Sequence, residues 1–207
     1  MKTVVASFDT LAAASKAATK LMAAGFMQSD INIVSNNTAF SGASVNPDAR
    51  PVDNDDGVAT GALAGGALGV AAGVTISLMG LAIPGIGPIL AAGTLATALA
   101  GAGAGAVAGG LIGALTDIGV PDDDAHFYAE SVRRGGAVVT VRTDESRTTL
   151  AESILEAEGA IDIDERVERW RRDGWKGFDS DASPYSYDDL ERERARYRTP
   201  QVPRQGM

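Results

Sequence analysis

The chain has 207 residues, enough for one or two domains, and a formal net charge of −9 that excludes the clustered basic footprint of a nucleic-acid-binding protein. It has no cysteine and a single histidine, His126, which removes disulfides, thiolate metal sites, thiol nucleophiles and multi-histidine metal centres. Its composition is uneven: 16 of the 25 glycines lie between Gly57 and Thr116, a window without a charged residue, whereas 6 of the 11 aromatic residues and 10 of the 18 basic ones follow Glu165.

The first block reads as β-α-β. Met1-Lys2-Thr3 runs directly into the apolar strand Thr3–Ser7, too short for a signal-peptide core, so a cytoplasmic start is expected. Asp9 is the expected N-cap of a helix over Leu11–Ala24, rich in Ala, Leu and Lys, with Gly25 as its left-handed stop. Ile31–Val34 is a second strand, closing a unit over residues 1–35. Residues 36–56, rich in Asn, Ser, Gly, Pro and Asp, read as a mobile loop.

Residues 57–118 form the unusual block. Glycine recurs every fourth position at Gly57, Gly61, Gly65, Gly69 and Gly73, and again at Gly93, Gly101, Gly105, Gly109 and Gly113 with Thr97 between. On a helix of 3.6 residues per turn, such steps keep the glycines on one slowly drifting face, a groove that lets a second backbone approach closely. A helical glycine costs about 1 kcal/mol against alanine, so a series of this length needs close packing to offset it. Pro84, Gly85, Gly87 and Pro88 interrupt the two arms, and a helical hairpin with its turn there is the expectation. Each arm has the length to cross a bilayer core. Against insertion stand the preponderance of Gly and Ala and the acidic flanks Asp53, Asp55, Asp56 and Asp117, where cytoplasmic Lys and Arg are usual. The leading expectation is nonetheless a hairpin that anchors the chain in membrane lipid on the cytoplasmic side of an inner membrane and drives self-association; the alternative is soluble cytoplasmic assembly into a homo-oligomer or filament through the glycine faces.

After Gly119, Pro121 and Asp122–Asp124 open a helix running to Arg134, and Gly135-Gly136 stop it. Ala137–Arg142 is a strand, Glu145–Glu158 a helix ended by Gly159, and Ile161–Ile163 a last short strand, so 119–164 repeats the β-α-β theme. With the insertion set aside, the fold class is α+β: a ferredoxin-like βαβ–βαβ domain, four strands with two helices on one face, split by the Gly/Ala-rich helical hairpin. Residues 165–207 make a charged aromatic tail with a short helix over Asp188–Arg198, in which Trp170 and Trp175 are expected to dock on the body or on a neighbouring subunit.

Several stretches are similar to the bacterial general stress protein family: Val4-Val5-Ala6-Ser7-Phe8-Asp9, Ala24-Gly25-Phe26, Ala82-Ile83-Pro84-Gly85-Ile86-Gly87-Pro88, Val120–Ala125, Phe127–Gly136 and Gly159–Asp162. The resemblance covers residues 1–169. It implies a stress-associated role, carries no catalytic residues across, and does not extend to the glycine-rich insertion, which the core members lack.

No residues present a nucleophile–base pair or a metal set, so the chain reads as non-enzymatic, without cofactor, metal ligands or catalytic residues. His126 beside Asp122–Asp124 reads as the first turn of a helix rather than a metal site, Asp53–Gly57 lacks the ligand spacing of a calcium loop, and the glycine runs lack the Gly-Lys-Ser/Thr of a phosphate loop. The partner expected is a second copy of the chain.

Overall fold

The computed structural model describes residues 1–36, 79–83, 87–96, 110–179, 181–183 and 185–197. Strands β1 (Lys2–Phe8), β2 (Ile31–Asn36), β3 (Met79–Ile83), β4 (Gly87–Ala92) and β5 (Ala137–Thr143) form one sheet in the order β1-β5-β2-β4-β3. Every neighbouring pair is antiparallel, so β1 and β2 run in the same direction with β5 between them. The helices are α1 (Leu11–Ala23), α2 (Gly110–Asp117), α3 (Asp122–Arg133), α4 (Thr148–Ala157), α5 (Ile163–Arg172) and α6 (Tyr187–Tyr197).

Side-chain alternation along the strands divides the interior into two cores. Val4, Ala6 and Phe8 of β1, Ile31 and Ile33 of β2, and Ala137, Val139 and Val141 of β5 face α1 and α4, meeting Leu11, Ala14, Ala18, Leu21, Ala151 and Leu155. Val34 and Val138, on the opposite pleat, join Leu111, Leu115, Phe127, Val132 and Trp170 from α2, α3 and α5. The expectation of helices on one face only is therefore corrected: the sheet is the middle of three layers. The reason is visible in β2 and β5, where residues of both pleats are buried and would be left in water by a two-layer arrangement.

Local chemistry explains the elements. The hydroxyl of Thr10, not the carboxylate of Asp9, caps α1, accepting from the Ala13 N–H at 3.2 Å, and Gly25 at φ +85° ends the helix. Asn32, inside the sheet, donates from Nδ2 to Thr140 Oγ1 at 3.0 Å, while its Oδ1 accepts from Thr94 Oγ1 at 2.9 Å and from the Leu95 N–H at 3.1 Å. One buried amide thus ties β2 to β5 and to the turn after β4.

Three further expectations change. The stretch Ile161–Ile163 is not a strand: Asp162 caps α5 by accepting from the Glu165 N–H at 3.0 Å, and only Ile161 reaches β1, donating its N–H to Ser7 O at 2.8 Å. The capping residue and the acidic first turn outweigh two β-branched residues. Next, the Gly87-Pro88 side of the expected helical turn opens a strand. β3 and β4 pair from Met79↔Ala91 to Ile83↔Gly87, and β4 covers the edge of β2, while Pro84 and Gly85 lie outside the described residues. Pro88 is tolerated because it precedes the stretch Ile89–Ala92 that pairs with β2. Finally, Gly93 sits in no helix. It has φ +82°, in the turn after β4, and a Cβ there would lie 2.8 Å from Ile31 O.

Gly93 gives a test whose sign separates the two conformations. On an exposed helix face Gly93→Ala would stabilise by about 1 kcal/mol. In the observed turn it destabilises, by about 1 kcal/mol or more from the positive φ alone, read as a lower urea midpoint.

Candidate functional site

Helix α3 carries the most concentrated chemistry of the described residues. Asp122, Asp123 and Asp124 occupy its first turn, where acid complements the N-terminal partial charge. Its last turn bears Glu130 and Arg133, followed by Arg134 as C-cap and Gly135 at φ +90°. The Gly136 N–H donates to Ser131 O at 2.9 Å and the Gly135 N–H to Val132 O at 3.0 Å, closing the helix in a left-handed cap. Gly136 then passes so near β1 that a Cβ would fall 2.8 Å from Phe8 O. Ser131 Oγ and Ser7 Oγ hydrogen-bond at 2.5 Å in the same crowded place.

Glu130 is 0 % exposed. Its carboxylate accepts two bonds from Arg133, Nε at 2.9 Å and Nη2 at 2.8 Å, and one from Arg134 Nε at 2.5 Å. Arg134 Nη1 also donates to Glu193 Oε1 of α6 at 2.7 Å, and Glu193 is itself 5 % exposed. The guanidinium of Arg134 stands 4.6 Å from the ring centroid of Trp170 and 5.6 Å from that of Tyr185, and Arg133 lies 5.0 Å from Tyr185. Two cations and two anions are thus held nearly dry among aromatic rings, each carboxylate neutralised by a guanidinium. Burial disfavours the Arg134 charge, but Glu130 and Glu193 outweigh it and hold its pKa above the ordinary arginine value.

Beside this cluster lies a small recess, with room for about one or two waters, lined by Asp9, Ser131, Arg134, Arg166, Trp170 and Glu193. Arg166 Nη1 donates to Asp9 at 3.0 Å across its rim. The two serine hydroxyls have each other, with no histidine or lysine among the lining residues to activate them. The recess thus brings Arg134 and Arg166 beside Glu193 and Asp9.

Gly113 lies on α2, and a Cβ there would meet nothing within 4 Å. Gly57, Gly61, Gly65, Gly69, Gly73, Gly101, Gly105 and Gly109 fall outside the described residues. His126 Nε2 is 3.6 Å from the Asp122 carboxylate, and among the described residues no acidic or histidine group is arranged to hold a metal. Trp170 docks on its own chain: it is 1 % exposed, its ring 5.2 Å from that of Phe127, with Trp175 edge-on at 5.5 Å. The cluster around Glu130 was missed in the sequence, although Glu130 and Arg134 stand at the i, i+4 spacing of a helical ion pair. That spacing is common on exposed faces, and the burial that gives this one its weight comes from α5 and α6.

Compared with protein-family models, with curated proteins and with solved structures, the chain matches none.

Two measurements follow. Glu130→Ala leaves two buried guanidinium groups without their shared carboxylate and lowers stability by about 3–5 kcal/mol, whereas Glu193→Ala, which removes only the second of the two carboxylates on Arg134, costs about 1–3 kcal/mol; urea denaturation compares them. Burial first, and then the Asp124 charge, raise the Tyr128 hydroxyl pKa well above its ordinary value of 10.0, and burial raises that of Tyr185 against the pull of Arg134. Because the folded state favours the neutral phenol, its contribution is present below pH 10 and is lost as pH rises past it. In an ultraviolet titration, Tyr128 ionises only together with alkaline unfolding.

Proposed function

We propose that this protein is a non-enzymatic, stress-associated scaffold that self-associates through its glycine-rich segment, in preference to using that segment as a membrane anchor. The observation that carries the reading is the tethering of the segment. Asn36 and Met79 belong to strands of one sheet, as do the residues leading into Ala96, and α2 packs Leu111 and Leu115 into the core of the same body. A chain that leaves and re-enters one body crosses a bilayer an even number of times or not at all. Between Asn36 and Met79 the uncharged run 57–78 is long enough for a single crossing, and the rest of that connection carries Asp48, Arg50, Asp53, Asp55 and Asp56. Residues 97–109 would rise about 20 Å as a helix, short of the ~30 Å hydrocarbon core.

The glycine faces then find their partner in protein, and the nearest source is a second copy. Gly113, in register with Gly101, Gly105 and Gly109, leaves open space where a Cβ would stand, as an incoming helix requires. A ferredoxin-like reading of the body is supported by the order β1-β5-β2 with α1 and α4 on one face, and by Ile161 bonding to Ser7 where a fourth strand would run. The stress association rests on the similarity of Val4–Asp9, Val120–Ala125 and Phe127–Gly136 to the general stress protein family, and the location proposed is cytoplasmic.

Size measurement by light scattering without detergent tests this. The full chain runs as a multi-subunit particle, and Gly101→Val with Gly105→Val shifts it to smaller species while far-ultraviolet dichroism is kept. A monomeric wild-type chain, or retention in carbonate-washed membranes, overturns the reading.

A further inference from the structure

Helix α6 meets the body through Leu190 and Glu193, and Arg196 Nη1 donates to the Asp173 carboxylate at 3.4 Å. On α6, Leu190 is fully buried and Glu193 nearly so, while Tyr187, Asp188, Glu191, Arg192 and Arg196 face solvent. Leu190 lies against Gly135, close enough that its Cδ2 would be 2.9 Å from a Cβ placed there. Gly135 therefore does two things: its positive φ ends α3, and its missing side chain makes the hole that Leu190 fills. Three residues later, on the same face of α6, Glu193 reaches Arg134. Without α6, the cluster on α3 holds two guanidinium groups against one carboxylate, an acceptor for one further negative charge.

The helix also carries its own N-terminal cap, independent of the body. Ser186 and Asp189 cap it reciprocally: the Asp189 N–H donates to Ser186 Oγ at 3.3 Å, and the Ser186 N–H and hydroxyl donate to the Asp189 carboxylate at 3.0 and 2.6 Å. Residues 173–186 join it to α5, with Gly174 at φ +95° and Gly177 at φ +139°.

We propose that Arg133, Arg134, Gly135 and Trp170 form a receptor for an acidic helix of pattern Leu-x-x-Glu, which α6 fills within its own chain and which α6 of a second copy fills in exchange. Every contact is the same whichever chain supplies the helix, so the choice is one of effective concentration, on the order of millimolar for a short tether. The charge balance selects the occupant: a helix carrying one carboxylate beside a leucine completes the site, and a neutral or basic helix leaves Arg134 short of a partner. This contact uses none of the glycine-rich segment, so it stands or falls apart from the glycine-packing reading.

The test uses the full chain and a labelled synthetic peptide of residues 183–197, followed by fluorescence anisotropy, a readout indifferent to particle size. Full-length Glu193→Arg, whose own tail is repelled from Arg134, binds the peptide at least tenfold more tightly than wild type, whose receptor is already filled. Changing the peptide at Leu190→Asp or Glu193→Ala abolishes binding without touching the fold of the protein. Equal affinity for wild type and Glu193→Arg, no binding to Glu193→Arg while its dichroism is native, or equal binding of the Leu190→Asp peptide would overturn the proposal.

Discussion

Strand β5 holds the molecule together. It runs between β1 and β2, which belong to the first 36 residues, while β5 itself lies beyond the whole glycine-rich region. Its side chains enter both cores, Val139 and Val141 toward α1 and α4, Val138 toward α2 and α3. Each fully buried aliphatic side chain contributes about 1.5–3 kcal/mol. Removing β5 would leave two strands that do not touch and would separate both helical layers. The polar pair Asn32 and Thr140 lies inside this contact and fixes the register, since a one-residue slip would strand the amide among aliphatic groups.

The position of α3 follows from that arrangement. The helix must deliver the chain into β5, and the tight passage at Gly136 beside Phe8 O leaves its last turn pressed against the sheet. An arginine pair in so dry a place needs internal partners. Glu130 supplies one from the same helix and Glu193 another from a segment about 60 residues downstream. An apolar filling of equal volume would hold the body together as well or better, because desolvation consumes much of what a buried ion pair gains. What the charges add is selectivity for the helix that docks there.

The sequence was most informative where local signals and tertiary demands coincide. β1, α1, β2, α3 and β5 appear close to the positions expected from periodicity and from the glycines at 25, 119 and 135. It misled where two local readings compete. Ile161–Ile163 has strand-forming residues, but Asp162 and Glu165 make a helix start, and the helix prevails because it brings Trp170 onto Phe127. The Pro-Gly run near residue 85 signals a reversal without specifying helices or strands, and the open edge of β2 is satisfied only by a strand. Most of the glycine series lies outside the described residues; of the two positions within them, Gly93 serves a turn and Gly113 a helix.

The pairing of β1 with β5 joins Lys2 to Thr143. On a ribosome adding roughly 5–20 residues per second, the first two strands emerge several seconds before the strand that separates them exists. During that interval β1 and β2 can acquire α1 but not each other, and the slot between them displays unpaired backbone and apolar side chains from both. Synthesis of the long glycine-rich stretch lengthens that wait, so the nascent chain passes through a state in which the edges of β1 and β2 stay open until Ala137–Thr143 arrives.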